Sequence, residues 1–276
     1  MTHAGPIDPR AFHDFEQAGW QRASAYYKDT FGTLTSQTVE ALLDAAGVRA
    51  GTRVLDVASG PGYVAGAAAR RGATVVGIDF SLRMVEQARL LHPSLEFHEG
   101  DAEALAFEAG RFDAVVMNFG LLHLARPEAA IAEAHRVLAS TGRYALTVWA
   151  RPGEAVGFGV VLRAMEAHGT ANVGLPDGPP FFRFSDLDES RAALTQAGFV
   201  EAAVRQLPLV WRLPSSDALF EAALLGGVRT SAALQAQTPE ALRNIRQAVD
   251  AELQRYAVGG GVAIPMAVML ASARKP

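Results

Sequence analysis

The chain has 276 residues, 50% of them hydrophobic, and 29 acidic against 25 basic side chains give a net charge of −4. That is enough apolar material for a sizeable core, and an acidic balance without a basic run gives no electrostatic footprint for nucleic acid. The absence of cysteine excludes a disulfide framework, thiolate zinc sites and a cysteine nucleophile.

Residues 1–10 read as a mobile tail carrying Pro6 and Pro9. His3, Asp8, Arg10 and Asp14 leave no room for an apolar leader, so no signal peptide is expected. The longest apolar run, Val262 to Ala273, contains Pro265 and is too short to span a bilayer. A cytoplasmic protein without membrane insertion is the expectation. Ala11 to Tyr27 reads as an amphipathic helix rich in aromatics, with Phe12, Phe15, Trp20, Tyr26 and Tyr27. These aromatics either pack the helix onto the body of the protein or place Tyr26 or Tyr27 over a ligand. Thr38 to Ala46 reads as a second helix.

From Gly51 to Ala150 apolar runs alternate with helical stretches, which predicts an α/β fold around a parallel sheet. Strands are expected at 53–57, 74–78, 95–98, 112–118 and 143–149, and helices at 62–71, 81–91 and 127–138. Pro127 suits a first helical turn. His135, on one face with Ile131, Ala134 and Leu138, reads as a packing or surface histidine. The alternation stops at Ala150. Residues 151–184 are rich in glycine and proline, with one helical piece at Val160 to Ala167. Leu187 to Ala197 reads as a helix ended by Gly198, and Phe199 to Leu213 as a long strand. Ser215 to Tyr256 reads as helical, with Leu242, Ile245, Val249, Leu253 and Tyr256 at helical spacing. Gly259-Gly260-Gly261 then turns into a last strand, Val262 to Ala273.

The chemistry concentrates after the first strand. Val54-Leu55-Asp56-Val57 gives way to Ser59-Gly60-Pro61-Gly62 and a small-residue helix. Strand, glycine turn and helix N-terminus form the geometry of a nucleotide-type cofactor site. Asp79 closes the next strand, where a carboxylate accepts both hydroxyls of a ribose; Asp79 and Ser81 also suit a helix cap. Gly60-Pro61-Gly62-Tyr63-Val64-Ala65 fits the G-x-G-x-x-A dinucleotide pattern, but Asp56 at the loop would oppose a pyrophosphate. An ammonium and a sulfonium would instead be welcomed there. Asp101, after the third strand, is placed to accept from an adenine amino group, and Glu103 reads as a solvated loop carboxylate.

Four segments, residues 55–62, 75–89, 100–124 and 135–149, together resemble the class I S-adenosylmethionine-dependent methyltransferases, nearest to the ubiquinone/menaquinone-biosynthesis-like small-molecule group. The resemblance spans about residues 51–150. Ala58 stands where the family has its first glycine, and Thr141-Gly142-Arg143 where it has Pro-Gly-Gly. The resemblance implies a Rossmann-like fold with a mostly parallel seven-stranded sheet, helices on both faces and a helical substrate cap. It implies three parts: an N-terminal helical cap (1–50), a cofactor-binding core (51–150), and a completion of the sheet (151–276) with cap inserts at about 153–184 and 214–258. It implies S-adenosyl-L-methionine as cofactor, held by Tyr27, Asp56, Ala58, Gly60, Gly62, Asp79, Phe80, Met84, Asp101, Ala102 and Asn118. Phe80 and Met84 would flank the adenine, although Met84 also serves as core filler.

The implied activity is methyl transfer to a small, partly apolar acceptor, with Phe181, Phe182 and Phe184 as candidates for an apolar wall. His123, just beyond the fourth strand, is the candidate catalytic base; the alternative is that it orders its loop through a backbone carbonyl. No Asn-Pro-Pro-Tyr follows that strand, which disfavours amino-methylation of a nucleic-acid base, and no cluster has metal-ligand spacing. Two other readings stay open: a nicotinamide-dependent oxidoreductase, and a protein that binds S-adenosylmethionine without methylating.

Overall fold

A computed structural model describes residues 8–170 and 173–276. The expectation for the first seven residues lies outside the described residues. Asp8 caps the first helix, α1 (Pro9–Tyr27), by accepting from the Arg10 and Ala11 amides, so the helix begins inside the expected tail. The short helix α2 (Gly32–Thr35), a 3₁₀ turn at Ser36–Thr38 and α3 (Val39–Ala45) lead to the sheet.

The alternating region follows the apolar pattern closely. It contains β1 (Arg53–Val57), α4 (Tyr63–Arg70), β2 (Thr74–Asp79), α5 (Leu82–Leu91), β3 (Glu96–Glu99), β4 (Phe112–Asn118), α6 (Pro127–Val137) and β5 (Leu138–Trp149). Strands β1 and β4 are buried on both faces over residues 54–57 and 114–117, apolar except for Asp56. Strand β5 starts five residues before the expected position, and its pairing with β4 shifts register between Phe112 and Ala114.

Beyond Ala150 the chain forms α7 (Val156–His168), α8 (Leu187–Gln196), β6 (Val200–Leu207), β7 (Val210–Leu213), α9 (Ser216–Leu225), α10 (Arg229–Gln235), α11 (Pro239–Leu253), β8 (Ala257–Val258), β9 (Gly261–Pro265) and β10 (Val268–Arg274). Helix α7 is longer than its expected core of 160–167.

Three expectations for this half are corrected. The long strand over 199–213 is two strands in two sheets, because Pro208 cannot donate to a continuing ladder. The last strand over 262–273 is likewise broken after Pro265, where the Met266 amide turns to Leu209 O and the Ala267 amide to Glu154 O. The helical stretch over 215–256 is three helices and a 3₁₀ turn, interrupted at Gly226-Gly227 and at Thr238-Pro239.

The main sheet has seven strands in the order β3-β2-β1-β4-β5-β10-β6, parallel from β3 to β5 and antiparallel at β10. Strands β7, β9 and β8 form a separate three-stranded antiparallel sheet that the sequence reading did not anticipate. Helix α11 packs on α7 and α9, so the two segments inserted around the closing strands contact each other. The strand order reverses between β1 and β4, and a ligand site is expected beyond the carboxyl ends of those strands. No helix among the described residues is long and apolar enough to cross a membrane.

Candidate active site

The turn after β1 is built by backbone conformation. Ala58, Gly60 and Gly62 all have positive φ, at 55°, 51° and 83°. A Cβ on Gly62 would lie 2.8 Å from the Phe97 ring, so close packing as well as φ requires glycine there. A Cβ on Gly60 would meet nothing within 4 Å: that glycine faces open space.

Two carboxylates fasten the turn. Asp56 is 1% exposed; its Oδ2 accepts from the Ala65 amide at 2.9 Å, and its Oδ1 has no partner. Burial pushes its pKa up to about 8, against the opposing pull of the Ala65 amide. Asp79 ends β2, where Oδ2 accepts from the Gly60 amide at 2.8 Å and Oδ1 from the Ser81 amide at 2.9 Å. Burial raises its pKa to about 6, and these two amides hold it from going further. Ser81, not Asp79, is the N-cap residue of α5, through Met84 N.

A cavity opens over this turn, with about 1230 Å³ of space including solvent at its mouth. Tyr27, Ala58, Gly60, Asp79, Phe80, Met84, Asp101, Ala102, Asn118 and His123 all line it. Asp56 and Gly62 lie outside the lining. Asp56 sits beneath the turn and Gly62 at the start of α4. Asp101 keeps one oxygen engaged with the Glu103 amide at 2.8 Å. Glu103 is not solvated: it is 8% exposed, accepts from the Arg126 amide at 2.8 Å and pairs with Arg126 Nε at 2.7 Å. Tyr27 gives its hydroxyl to a bond with Thr35 Oγ1 at 2.8 Å, whereas Tyr26 is 46% exposed and away from the cavity.

Asn118 is fully engaged in holding elements together. Its Oδ1 accepts from Thr38 Oγ1 at 2.8 Å and Thr147 Oγ1 at 2.6 Å, and its Nδ2 donates to Thr35 O at 3.1 Å. His135 packs edge-on against Phe199 and is remote from the cavity lining.

The far end of the cavity is aromatic, formed by Phe31, Phe119, Trp149, Phe158, Phe181 and Trp211. Phe119 has φ 58°, and its ring stacks on Trp149 at 4.1 Å. Phe31 stacks on Phe158 at 5.8 Å. Phe182 packs against Phe158 and Phe181 behind the wall, while Phe184 is buried away from it. The sequence reading did not assign Phe31, Phe119, Trp149, Phe158 or Trp211 to a wall: Phe119 and Trp149 lie in segments 100–124 and 135–149, read only for the cofactor core, and the other three lie in segments with no motif.

His123 lies in a 3₁₀ turn (Leu121–His123) after β4, with Trp20 edge-on at 4.9 Å. Its Nδ1 meets Glu16 Oε2 at 2.9 Å, not the backbone carbonyl of the alternative reading. Glu16 was also missed. Its signal was its position four residues from both Phe12 and Trp20, a carboxylate on the apolar stripe of α1.

The cavity therefore joins the fixed Asp79 carboxylate, a glycine turn with an open side, the side chains of Phe80, Met84 and Ala102, and a histidine beside an aromatic chamber. The residues fit S-adenosylmethionine.

Known proteins agree with this fold. A family profile described as a methyltransferase domain matches residues 55–146. A demethylmenaquinone methyltransferase of Renibacterium salmoninarum is 40% identical over 111 residues, 40% of this chain and 47% of that one. That of Paenarthrobacter aurescens is 31% identical over 175 residues, 60% of this chain and 69% of the relative. The chain spans about half the length of the Renibacterium and Beutenbergia relatives, 47% of each. Among solved structures, the YcgJ protein of Bacillus subtilis superposes with a TM-score of 0.58 at 19% identity, covering 87% of this chain and 98% of that one. A Haemonchus contortus phosphoethanolamine N-methyltransferase, solved with S-adenosylhomocysteine, gives 0.53 at 20% identity over 87% of this chain and 52% of that one. These last two likenesses concern the fold. Motif, fold and relatives converge: the chain belongs to the class I S-adenosylmethionine-dependent methyltransferases, of the menaquinone/ubiquinone type.

Proposed function

We propose that this protein transfers a methyl group from S-adenosylmethionine to a small, uncharged, largely apolar acceptor held in the aromatic chamber. The observation that carries the reading is the Asp79 carboxylate in the cavity wall, fixed by the Gly60 and Ser81 amides beside the open face of Gly60.

Asp79 takes the ribose hydroxyls, Asp101 the adenine amino group, and Phe80, Met84 and Ala102 the faces of the base. Ala58 and Gly60 let the backbone come close to the ligand. Asp56 and Gly62 act from beneath, by holding the turn through Ala65 and Phe97. Asn118 acts by tying the 35–38 segment to β4 and β5. The cofactor supplies an electrophilic methyl on a positive sulfur with a good leaving group. The chain's own contribution is to hold the acceptor in line, exclude water and accept a proton. Positioning of this kind contributes on the order of 7–11 kcal/mol to lowering such a barrier. His123 Nε2 accepts the proton of the acceptor's hydroxyl or amine as that atom takes the methyl.

The acceptor class follows from the walls. The cavity's one lysine or arginine among the described residues is Arg229, and its Nε, Nη1 and Nη2 are engaged by Glu16, Pro179 O and Leu122 O. An anionic acceptor would find no free cation. Residues 1–50 serve as an N-terminal cap, 51–150 as the cofactor core, and 153–184 and 214–258 as a substrate cover. Gly157, Phe158, Phe181, Leu219 and Arg229 of these segments line the cavity. A cytoplasmic location belongs to the same proposal.

Calorimetry tests it. S-adenosylmethionine and S-adenosylhomocysteine are expected to bind and NAD(H) not. Asp79→Ala should weaken binding by about 1.5–3 kcal/mol for each hydrogen bond lost to a charged acceptor. NAD binding, with no effect of Asp79→Ala, would overturn the reading. For the cover, hydrogen exchange in 153–170 and 214–258 should slow when an acceptor joins saturating S-adenosylhomocysteine; unchanged exchange counts against it.

A further inference from the structure

Glu16 is fully buried halfway along α1, between aromatic residues of its own helix. A carboxylate there is costly unless charge and hydrogen bonds compensate it. Both of its oxygens are used. Oε1 accepts from Arg229 Nε at 2.7 Å and Oε2 meets His123 Nδ1 at 2.9 Å. Arg229 is itself tied down, donating to Pro179 O at 2.8 Å and Leu122 O at 2.7 Å with its guanidinium 4.5 Å over the Phe12 ring. The three side chains come from α1, the turn after β4 and the start of α10. His123 and Arg229 are 107 and 213 residues from Glu16. Such an arrangement is more than a helix needs for docking, since an apolar side chain at position 16 would dock α1 at lower cost.

We infer that Glu16 is the positioning residue for the methyl-transfer base. It accepts the Nδ1 proton, which fixes His123 in the tautomer that leaves Nε2 as an unprotonated acceptor toward the cavity. Arg229 holds the Glu16 carboxylate in place and balances its charge. During transfer the acceptor's proton goes to Nε2 while its electron pair forms the bond to the methyl carbon; the carbon–sulfur pair returns to sulfur. The positive charge then on the imidazole faces Glu16. A protein whose α1 or α10 is not seated has His123 but no fixed tautomer, so base assembly is coupled to closure of the cap. This inference rests on the methyltransferase reading.

Nitrogen-15 spectra of the histidine rings test it, with S-adenosylhomocysteine as the probe ligand and His123→Gln to identify the resonance. In the wild type at alkaline pH, His123 is expected as the Nδ1–H form. In the charge-neutral pair Glu16→Leu/Arg229→Leu, which leaves no acceptor for Nδ1, it should move toward the Nε2–H form that an unconstrained imidazole prefers. If that pair does not fold, Glu16→Asp withdraws the carboxylate by one methylene while keeping its charge, and the same change is expected. An Nε2–H signal in the wild type, or an unchanged tautomer in the variants that fold, overturns the inference. Failure of the wild type to bind S-adenosylhomocysteine would instead overturn the functional reading, whichever tautomer is seen.

Discussion

Two buried carboxylates set the pH behaviour of the cofactor turn. Both Asp56 and Asp79 have pKa values raised by burial, to about 8 and about 6. A raised carboxylate contributes stability that is present below its unfolded pKa, about 3.9, and is lost as pH climbs through its folded value. The Asp79 share is thus lost by about pH 6, and the Asp56 share continues to fall until about pH 8. Asp56→Asn should keep the bond from Ala65 and abolish the later loss. Its melting temperature should therefore hold between pH 6 and 8 while that of the wild type drops; parallel curves would refute the assignment. Cofactor affinity has the opposite sense. If Asp79 holds the ribose as proposed, it must be ionised, so affinity should weaken by about tenfold per pH unit below its pKa, measurable by calorimetry from pH 7 down to 5. Ala58, at φ 55°, sits where a non-glycine residue costs roughly 1–2 kcal/mol. Ala58→Gly relieves that strain against an entropic loss of about 0.5–1 kcal/mol, so a small rise or no change in urea-unfolding stability is expected.

Elements far apart in sequence are tied over the site by single side chains. Asn118 at the end of β4 joins the 35–38 segment to β5. Asn118→Ala would leave the Thr147 hydroxyl without its acceptor, while the Thr38 hydroxyl and the Thr35 carbonyl keep each other at 2.7 Å; the loss should be about 1–3 kcal/mol for that one unsatisfied group, and a fall in the denaturant midpoint should report it. Helix α1 is held differently. Gln17 donates to Phe80 O at 2.9 Å, and Gln21 accepts from the Arg83 amide at 3.1 Å. These bonds clamp the helix onto the start of α5 without touching the core. Gln17→Ala with Gln21→Ala should therefore speed hydrogen exchange in α1 and weaken cofactor affinity, with little change in global unfolding. Slowed or unchanged exchange would mean that α1 is held by its apolar face and the Glu16 contacts without these two bonds.

The molecule places all 3 of its tryptophans, Trp20, Trp149 and Trp211, on the cavity wall. Intrinsic fluorescence should therefore respond to ligands there, and a flat apolar acceptor should quench it more than S-adenosylhomocysteine alone. Cofactor at a hundredfold excess over its dissociation constant should stabilise the fold by about 2.7 kcal/mol through mass action. A melting temperature that does not move at that concentration would show that the ligand does not bind the native state preferentially.

The cofactor half of the site was legible in the sequence because its parts are contiguous. A strand, a glycine turn and a helix N-terminus follow one another within residues 53–70, and Asp79 and Asp101 close the next two strands. Local apolar periodicity places such elements, and strand-end geometry brings them together in any doubly wound sheet. Asp56 and Gly62 were read as ligand contacts by the same logic, yet both lie outside the cavity lining, Asp56 beneath the turn and Gly62 at the start of α4, a distinction of depth that spacing does not carry. The acceptor half was decided by tertiary structure. Glu16, His123 and Arg229 meet across segments with no shared motif, and the aromatic wall draws residues from both sides of the core. Pro208 and Pro265 divide what reads as continuous strands and create a second sheet. Periodicity reports which face of an element is apolar, but not which distant element will cover it. That choice is made by packing, and the acceptor's surroundings depend on it.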